Sequence, residues 1–154
     1  MTRKSRTVLL AIIALLSCLA IMTIVASTAY SSNTALAKIT AKTDSGELIG
    51  LYSDSICTIP LTSFNWGAIP QGGSTNQTIY LKNLSTTKLT LTMSATNWSP
   101  TAANGPISLT WNCGGTTLKP NQIIPATITI AVASNATDIT NFTMDITITG
   151  ASIR

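Results

Sequence analysis

The most constraining feature of this sequence is an alternation of apolar and polar side chains that begins near residue 35. Large apolar residues alternate with Thr, Ser or Asp most clearly in four segments, residues 89–93, 107–111, 124–132 and 142–148. A period of two places the apolar side chains on one face of a β-strand and the polar ones on the other. Thr suits the wet face, because its branched Cβ favours the extended backbone. The pattern therefore predicts half-buried strands.

Fainter alternation and turn residues complete this prediction. Four further strands are predicted at residues 35–42, 46–53, 61–66 and 77–83, and clusters rich in Gly, Pro and Asn separate the segments. Short strands at regular spacing, with no helical stretch between them, indicate two packed sheets. We expect an all-β, antiparallel β-sandwich of seven or eight strands.

The N-terminus carries a different signal. Residues 8–29 form a run without charge that is long enough to span a bilayer as a helix, and Arg3, Lys4 and Arg6 precede it. Cations in this position favour export of everything that follows. The segment is either a retained signal-anchor or a signal peptide cleaved after Ala29, where small residues suit a peptidase. The predicted organisation is a targeting segment (1–29), a linker or first strand (30–46) and a sandwich domain (47–154).

The net charge of +4 arises mainly from that targeting segment, since three of the nine cations precede residue 8. The remaining six cations are nearly balanced by the five carboxylates of the chain. A nucleic-acid-binding domain carries a clustered basic face. We expect no nucleic-acid partner.

Cys57 and Cys113 are the two cysteines of the exported part. An even pair outside the cytosol predicts a disulfide, which would stabilise the fold by about 2–5 kcal/mol. The alternative is two free, half-buried thiols. Because the chain has no histidine to join them, we expect no metal site.

The sequence offers little for catalysis. General acid-base chemistry at neutral pH most often uses His, or a carboxylate retuned by a neighbour. This chain has no His, and its carboxylates are dispersed. Asp54, between two serines, is predicted to cap a turn. We expect a non-enzymatic protein without a cofactor.

Two other sets of residues are candidates for surface roles. Of the Asn-x-Ser/Thr acceptors, Asn76, Asn83 and Asn135 are the best candidates for glycosylation, because turn residues surround them. Among the tryptophans, Trp111 is predicted to fill the core and Trp66 to close a corner over it. Trp98 lies between polar residues and is predicted to be exposed, where it could contact a partner or stack on a sugar.

Several short motifs follow one another in the order Tyr52-Ser53-Asp54-Ser55-Ile56-Cys57-Thr58, Asn65-Trp66-Gly67, Gly72-Gly73, Tyr80-Leu81-Lys82-Asn83, Asn97-Trp98-Ser99-Pro100, Leu109-Thr110-Trp111-Asn112 and Ile139-Thr140-Asn141-Phe142. In this order, over about residues 47–149, the chain resembles small archaeal cell-surface proteins with one N-terminal apolar segment and one immunoglobulin-like (Ig-like) domain. The resemblance implies an Ig-like fold, a cell-surface location and no enzyme activity.

A looser similarity is to archaeal thread and bundling-pilus subunits, which join by donating an N-terminal strand to the next subunit. Residues 35–42 would be the donor here, although the same segment could be the first strand of its own sandwich. The favoured function is therefore that of a membrane-tethered surface protein with a structural or adhesive role. The alternatives are a secreted filament subunit and a glycan-binding module that uses Trp98.

Overall fold

The computed structural model describes residues 32–43 and 49–153, and within them it contains nine strands and a single 3₁₀ turn at Thr101–Ala103. The strands are β1 (Ser32–Thr43), β2 (Ile49–Tyr52), β3 (Ser63–Pro70), β4 (Ser74–Asn83), β5 (Lys88–Ser99), β6 (Ile107–Trp111), β7 (Thr117–Leu118), β8 (Ile123–Val132) and β9 (Asn141–Ile153). The predicted targeting segment, with its cleavage position after Ala29, lies outside the described residues. No helix in the described part of the chain is long and apolar enough to cross a membrane.

The strands form two sheets, and the chain changes sheet at every step. The five-stranded sheet has the order β3-β1-β9-β5-β7, and the four-stranded sheet has the order β2-β4-β8-β6. The predicted all-β sandwich is confirmed. The predicted Ig-like strand order is not observed, because in an Ig domain strands A and B, and likewise D and E, share a sheet.

Strand β1 lies inside the five-stranded sheet rather than at its edge. It pairs antiparallel with β3 on one side and parallel with β9 on the other. The parallel register runs from Thr34 opposite Asn141 to Thr43 opposite Gly150. The predicted segment 35–42 is thus a strand of its own domain in this structure, and its parallel pairing departs from the all-antiparallel prediction.

The core lies between the sheets and is built by the alternation read from the sequence. Along β9, Phe142, Met144, Ile146 and Ile148 are buried, while the intervening residues are exposed or half-buried. Full burial of each such side chain stabilises the fold by about 1.5–3 kcal/mol. The outward positions of both sheets are mostly Thr and Ser, as in the cross-strand pairs Thr92–Thr149 and Ser94–Thr147. The two outer faces are therefore covered with hydroxyl groups and few charges.

Candidate functional site

The candidate site is centred on Trp98, near the end of β5. The pairing of β5 with β9 shifts register between Thr96 and Ser99, and Asn97 adopts a positive φ of 54° inside this irregularity. The Asn97 amide Nδ2 donates a hydrogen bond of 2.7 Å to Asp145 Oδ2 on β9. Extra residues in one strand re-aim the side chains around them. The irregularity, held in place by Asp145, thus sets the direction of the indole.

The Trp98 ring packs against one core residue and remains partly open. It stacks on Phe142, with ring centroids 6.3 Å apart and an interplanar angle of 30°. Phe142 is only 1% exposed, whereas Trp98 is half-buried. The prediction that Trp98 is exposed was therefore half right. Its partner is 44 residues away, and no local sequence signal identifies it.

Two surface clefts share Trp98, Ala95 and Asn104. The first has a volume of about 330 Å³ and is lined by Met93, Ser94, Ala95, Trp98, Asn104, Gly105, Ile107, Ser108 and Leu109. The second has a volume of about 320 Å³ and is lined by Ala95, Thr96, Asn97, Trp98, Thr101 and Asn104. An aromatic wall with neutral amide and hydroxyl groups suits an uncharged polar ligand, such as a sugar, better than an ionic one.

A further cleft lies elsewhere, along β1, β3 and β9. Its volume is about 440 Å³, and Leu36, Phe64 and Asp145 are among its lining residues. It includes the exposed Leu36, but the only aromatic ring in its lining is that of Phe64, which is in edge-to-face contact with the buried Trp66. For recognition of a ligand we favour the clefts at Trp98, because a half-exposed indole is available there. The prediction that Trp66 covers the core is confirmed by its 7% exposure.

The structure does not contain the predicted disulfide. Cys57 and Cys113 are free thiols, and Cys113 Sγ donates to Asn112 Oδ1 at 3.2 Å. Cys57 follows β2 and Cys113 follows β6, which occupy opposite edges of the four-stranded sheet. Three strand spacings separate those edges by about 14 Å, whereas a disulfide requires a Cα separation of about 4.4–6.8 Å. Burial raises the pKa of both thiols, and the nearby Asp54 carboxylate raises that of Cys57 further, while Lys82 lowers it.

Asp54 caps a turn, as predicted. Its carboxylate accepts hydrogen bonds from the Thr58 backbone N–H and hydroxyl and from the Ile59 backbone N–H, at 2.7–3.0 Å. Desolvation raises the pKa of this carboxyl, but the hydrogen bonds from Ile59 and Thr58 outweigh it and hold the pKa below its ordinary value. Asp54 therefore has a structural role in the hairpin that follows β2.

The glycosylation candidates divide into two groups. Asn76 and Asn135 are exposed, on the outer face of β4 and in the β8–β9 connection. Asn83 is fully buried, and its Nδ2 already donates to Thr87 O and Leu118 O. The expectation that Asn83 lies in an exposed loop is wrong, because the nitrogen that would carry a glycan is inside the protein.

Neither a family model nor a curated protein sequence matches this chain. Within residues 32–43 and 49–153, no three His, Cys, Asp or Glu side chains are grouped to hold a metal ion. The described residues form a two-sheet β domain in which a half-buried Trp98 lines two surface clefts.

Proposed function

We propose that this chain is a non-enzymatic protein of the cell surface, tethered to the membrane by residues 8–29 and displaying its β-sandwich outside in a structural or adhesive role. The observation that carries the proposal is the combination of an uncharged 22-residue segment with a sandwich whose outer faces are hydroxylated. The near balance of charge after residue 29 and the absence of histidine support an interaction role over catalysis.

The tether is tested on native membranes from cells that express the chain with a C-terminal tag. Protease treatment of intact cells should remove the tag, and intact-mass analysis of the membrane fraction should find residues 8–29 retained. A mature chain that begins at Tyr30 and sediments as a polymer without membrane would overturn the tether.

A second candidate, a secreted filament subunit, is favoured by the position of β1. Inward-facing Ala35, Ala37 and Ile39 are buried between β3 and β9, so a sandwich without β1 would have an open slot in its sheet. The β1 strand of a neighbouring copy could make the same pairings, with residues 44–48 as the connection.

Cysteine pairs can distinguish self-insertion from donation of β1. Leu36 and Thr143 are opposite one another in the β1–β9 register, and both are exposed. A Leu36→Cys chain mixed with a Thr143→Cys chain should form a disulfide-linked dimer only if β1 is donated between copies. A Leu36→Cys chain mixed with Thr92→Cys, which is not its register partner, is the matched control. A chain that carries both Leu36→Cys and Thr143→Cys should form the disulfide internally if β1 stays in its own domain. If this double variant forms the disulfide and the mixed single variants do not, donation is excluded.

A third candidate, glycan binding, is favoured by the two clefts that share Trp98. Glycan-array binding by the parent that is lost in Trp98→Ala, with thermal unfolding still cooperative, would support it. Retained binding in Trp98→Ala, or no binding by the parent, counts against it.

A further inference from the structure

The outermost strands of the two sheets differ in how their free edges are protected. Three of them carry a device that blocks further pairing. Strand β3 has a register shift, with Gly67 at a φ of 75°, and ends at Pro70. Strand β7 has only two residues. Strand β2 is covered by the returning chain, through the Tyr52–Pro60 bridge and the hydrogen bonds Ser53 N–H to Ile59 O and Leu61 N–H to Leu51 O.

Strand β6 is bridged only at its first residue, Ile107, by Asn104. From Ser108 to Trp111 it has no such device. Its five residues, Ile-Ser-Leu-Thr-Trp, contain no charge and no proline, and its pairing with β8 is unbroken. Natural sheets usually block exposed edges with charges, prolines, bulges or very short strands. An edge without these features is a ready template for another strand.

The register fixes which backbone groups of β6 face outward. Pro106 and Asn112 flank β6 at even-numbered positions. The Pro106 carbonyl accepts a hydrogen bond from the residue after β8, and the Asn112 N–H donates one to β8. Because the direction of backbone groups alternates along a strand, the N–H and C=O of Leu109 and Trp111 point away from β8. Among the described residues, no strand pairs with β6 on that side.

The side chains of β6 are compatible with a second copy of the same edge. Ser108 and Thr110 are exposed, while Leu109 and Trp111 face the core side but are only half-buried. An antiparallel partner would cover the remaining exposed area of Leu109 and Trp111. No charges would be opposed, and the near-neutral charge of residues 30–154 adds little long-range repulsion.

From these observations we propose that two copies of this chain associate through β6, antiparallel across a two-fold axis at Thr110, and so join their four-stranded sheets. Leu109 of each copy pairs with the partner's Trp111, so that four N–H···O=C bonds use all the outward backbone groups of these two residues. Thr110 lies opposite the partner's Thr110, a favourable cross-strand pair. This interface is distinct from the exchange of β1 and does not depend on the tether.

The register is tested by cross-linking the full chain in its native membranes. Opposed residues at a non-hydrogen-bonded position of an antiparallel pair have their Cβ atoms close together. Thr110→Cys should therefore give a disulfide-linked dimer under mild oxidation. Thr92→Cys, which is also exposed, on the outer face of β5, is the matched control and should remain monomeric, as should the parent. Equal cross-linking at the two positions would reflect random collision and overturn the proposal.

Charge variants separate this interface from association through residues 8–29. Thr110→Lys and Thr110→Glu, each alone, should weaken dimerisation of the detergent-solubilised full chain by about tenfold or more, since like charges are then directly opposed. Mixing the two variants should restore the dimer, whereas Thr92→Lys should not affect it. A parent that sediments as a monomer, or a dimer unaffected by Thr110→Lys, would contradict the proposal.

Discussion

The buried side chain of Asn83 links the two sheets, because its Nδ2 donates a 3.0 Å hydrogen bond to the carbonyl oxygen of Leu118. Asn83 ends β4 in one sheet and Leu118 ends β7 in the other. The same side chain holds the turn before β5, donating to Thr87 O and accepting from the backbone N–H and hydroxyl of Ser85. All four hydrogen-bonding positions of the amide are thus used.

Replacing Asn83 should therefore destabilise the protein without touching its surface. Asn83→Ala leaves the carbonyls of Thr87 and Leu118 without this donor, and a loss of about 1–3 kcal/mol in the free energy of unfolding is expected. Asn76→Ala, at an exposed position, should change it by less than about 0.5 kcal/mol. Urea unfolding of the two variants measures the difference. Equal stability would show that the buried network contributes little.

A side chain at Gly150 should destabilise the protein, because its neighbours would have to shift. A Cβ at this position of β9 would lie 2.6 Å from Ile49 Cδ1 and 3.1 Å from Leu89 Cδ1. Overpacking of this kind costs about 1–3 kcal/mol. Gly114→Ala is the control, because its Cβ would meet only Trp111 Nε1, at 3.4 Å. If thermal unfolding shows the same midpoint for both variants, the contact between Gly150 and Ile49 is looser than described.

The free energy of unfolding should not change between about pH 8 and 5 and should decrease at lower pH. The chain has no histidine to titrate in that range. Hydrogen bonding lowers the pKa of Asp54 below 3.8, so its contribution is present above that value and is lost as the pH falls through the folded-state pKa. The free energies of unfolding of the parent and of Asp54→Asn, measured between pH 7 and 2, should become equal in acid. Parallel curves would mean that Asp54 is not linked to folding.

Thiol labelling distinguishes the free cysteines of the structure from the disulfide that the sequence suggested. With maleimide at pH 7, half-buried Cys57 should react in the native protein, slowly because its raised pKa leaves little thiolate. Buried Cys113 should react only after unfolding. Peptide mapping identifies each site. If neither reacts even in denaturant until a reductant is added, the two are bridged.

Glycans should be attached only to those acceptor asparagines that are exposed. In a host that modifies Asn-x-Ser/Thr acceptors, glycopeptides are expected at Asn76 and Asn135 and none at Asn83. Mass spectrometry of the native protein, with and without glycan removal, tests this. A fully occupied Asn83 would require a different arrangement of the β4–β5 turn.

Local alternation was sufficient to predict most of the strands. Strand β6 was predicted with its observed bounds, because five residues of uninterrupted alternation are bordered by Pro106 and Asn112. Strand β7 was missed, since two residues have no detectable period. The order of the strands in the sheets could not be predicted from local patterns either. The parallel pairing of β1 with β9 joins residues that are more than 100 positions apart.

The candidate site was predictable only in part, for the same reason. Trp98 was identified from its polar neighbours, but its burial depends on Phe142. Asn83 was mistaken for a surface residue, because Asn-Leu-Ser resembles an exposed turn and its acceptor, Leu118 O, is 35 residues away. Long-range contacts thus decide which turn residues are exposed, and local patterns do not record them.

The parallel register of β1 and β9 also determines how this domain would respond to traction. The first described strand and the last one run side by side in the same direction, from Thr34 and Asn141 to Thr43 and Gly150. Pulling the two ends of the domain apart would load all of their hydrogen bonds at once, in shear, instead of opening them one after another. A domain pulled between the start of β1 and the end of β9 should therefore resist force along the direction of these two strands.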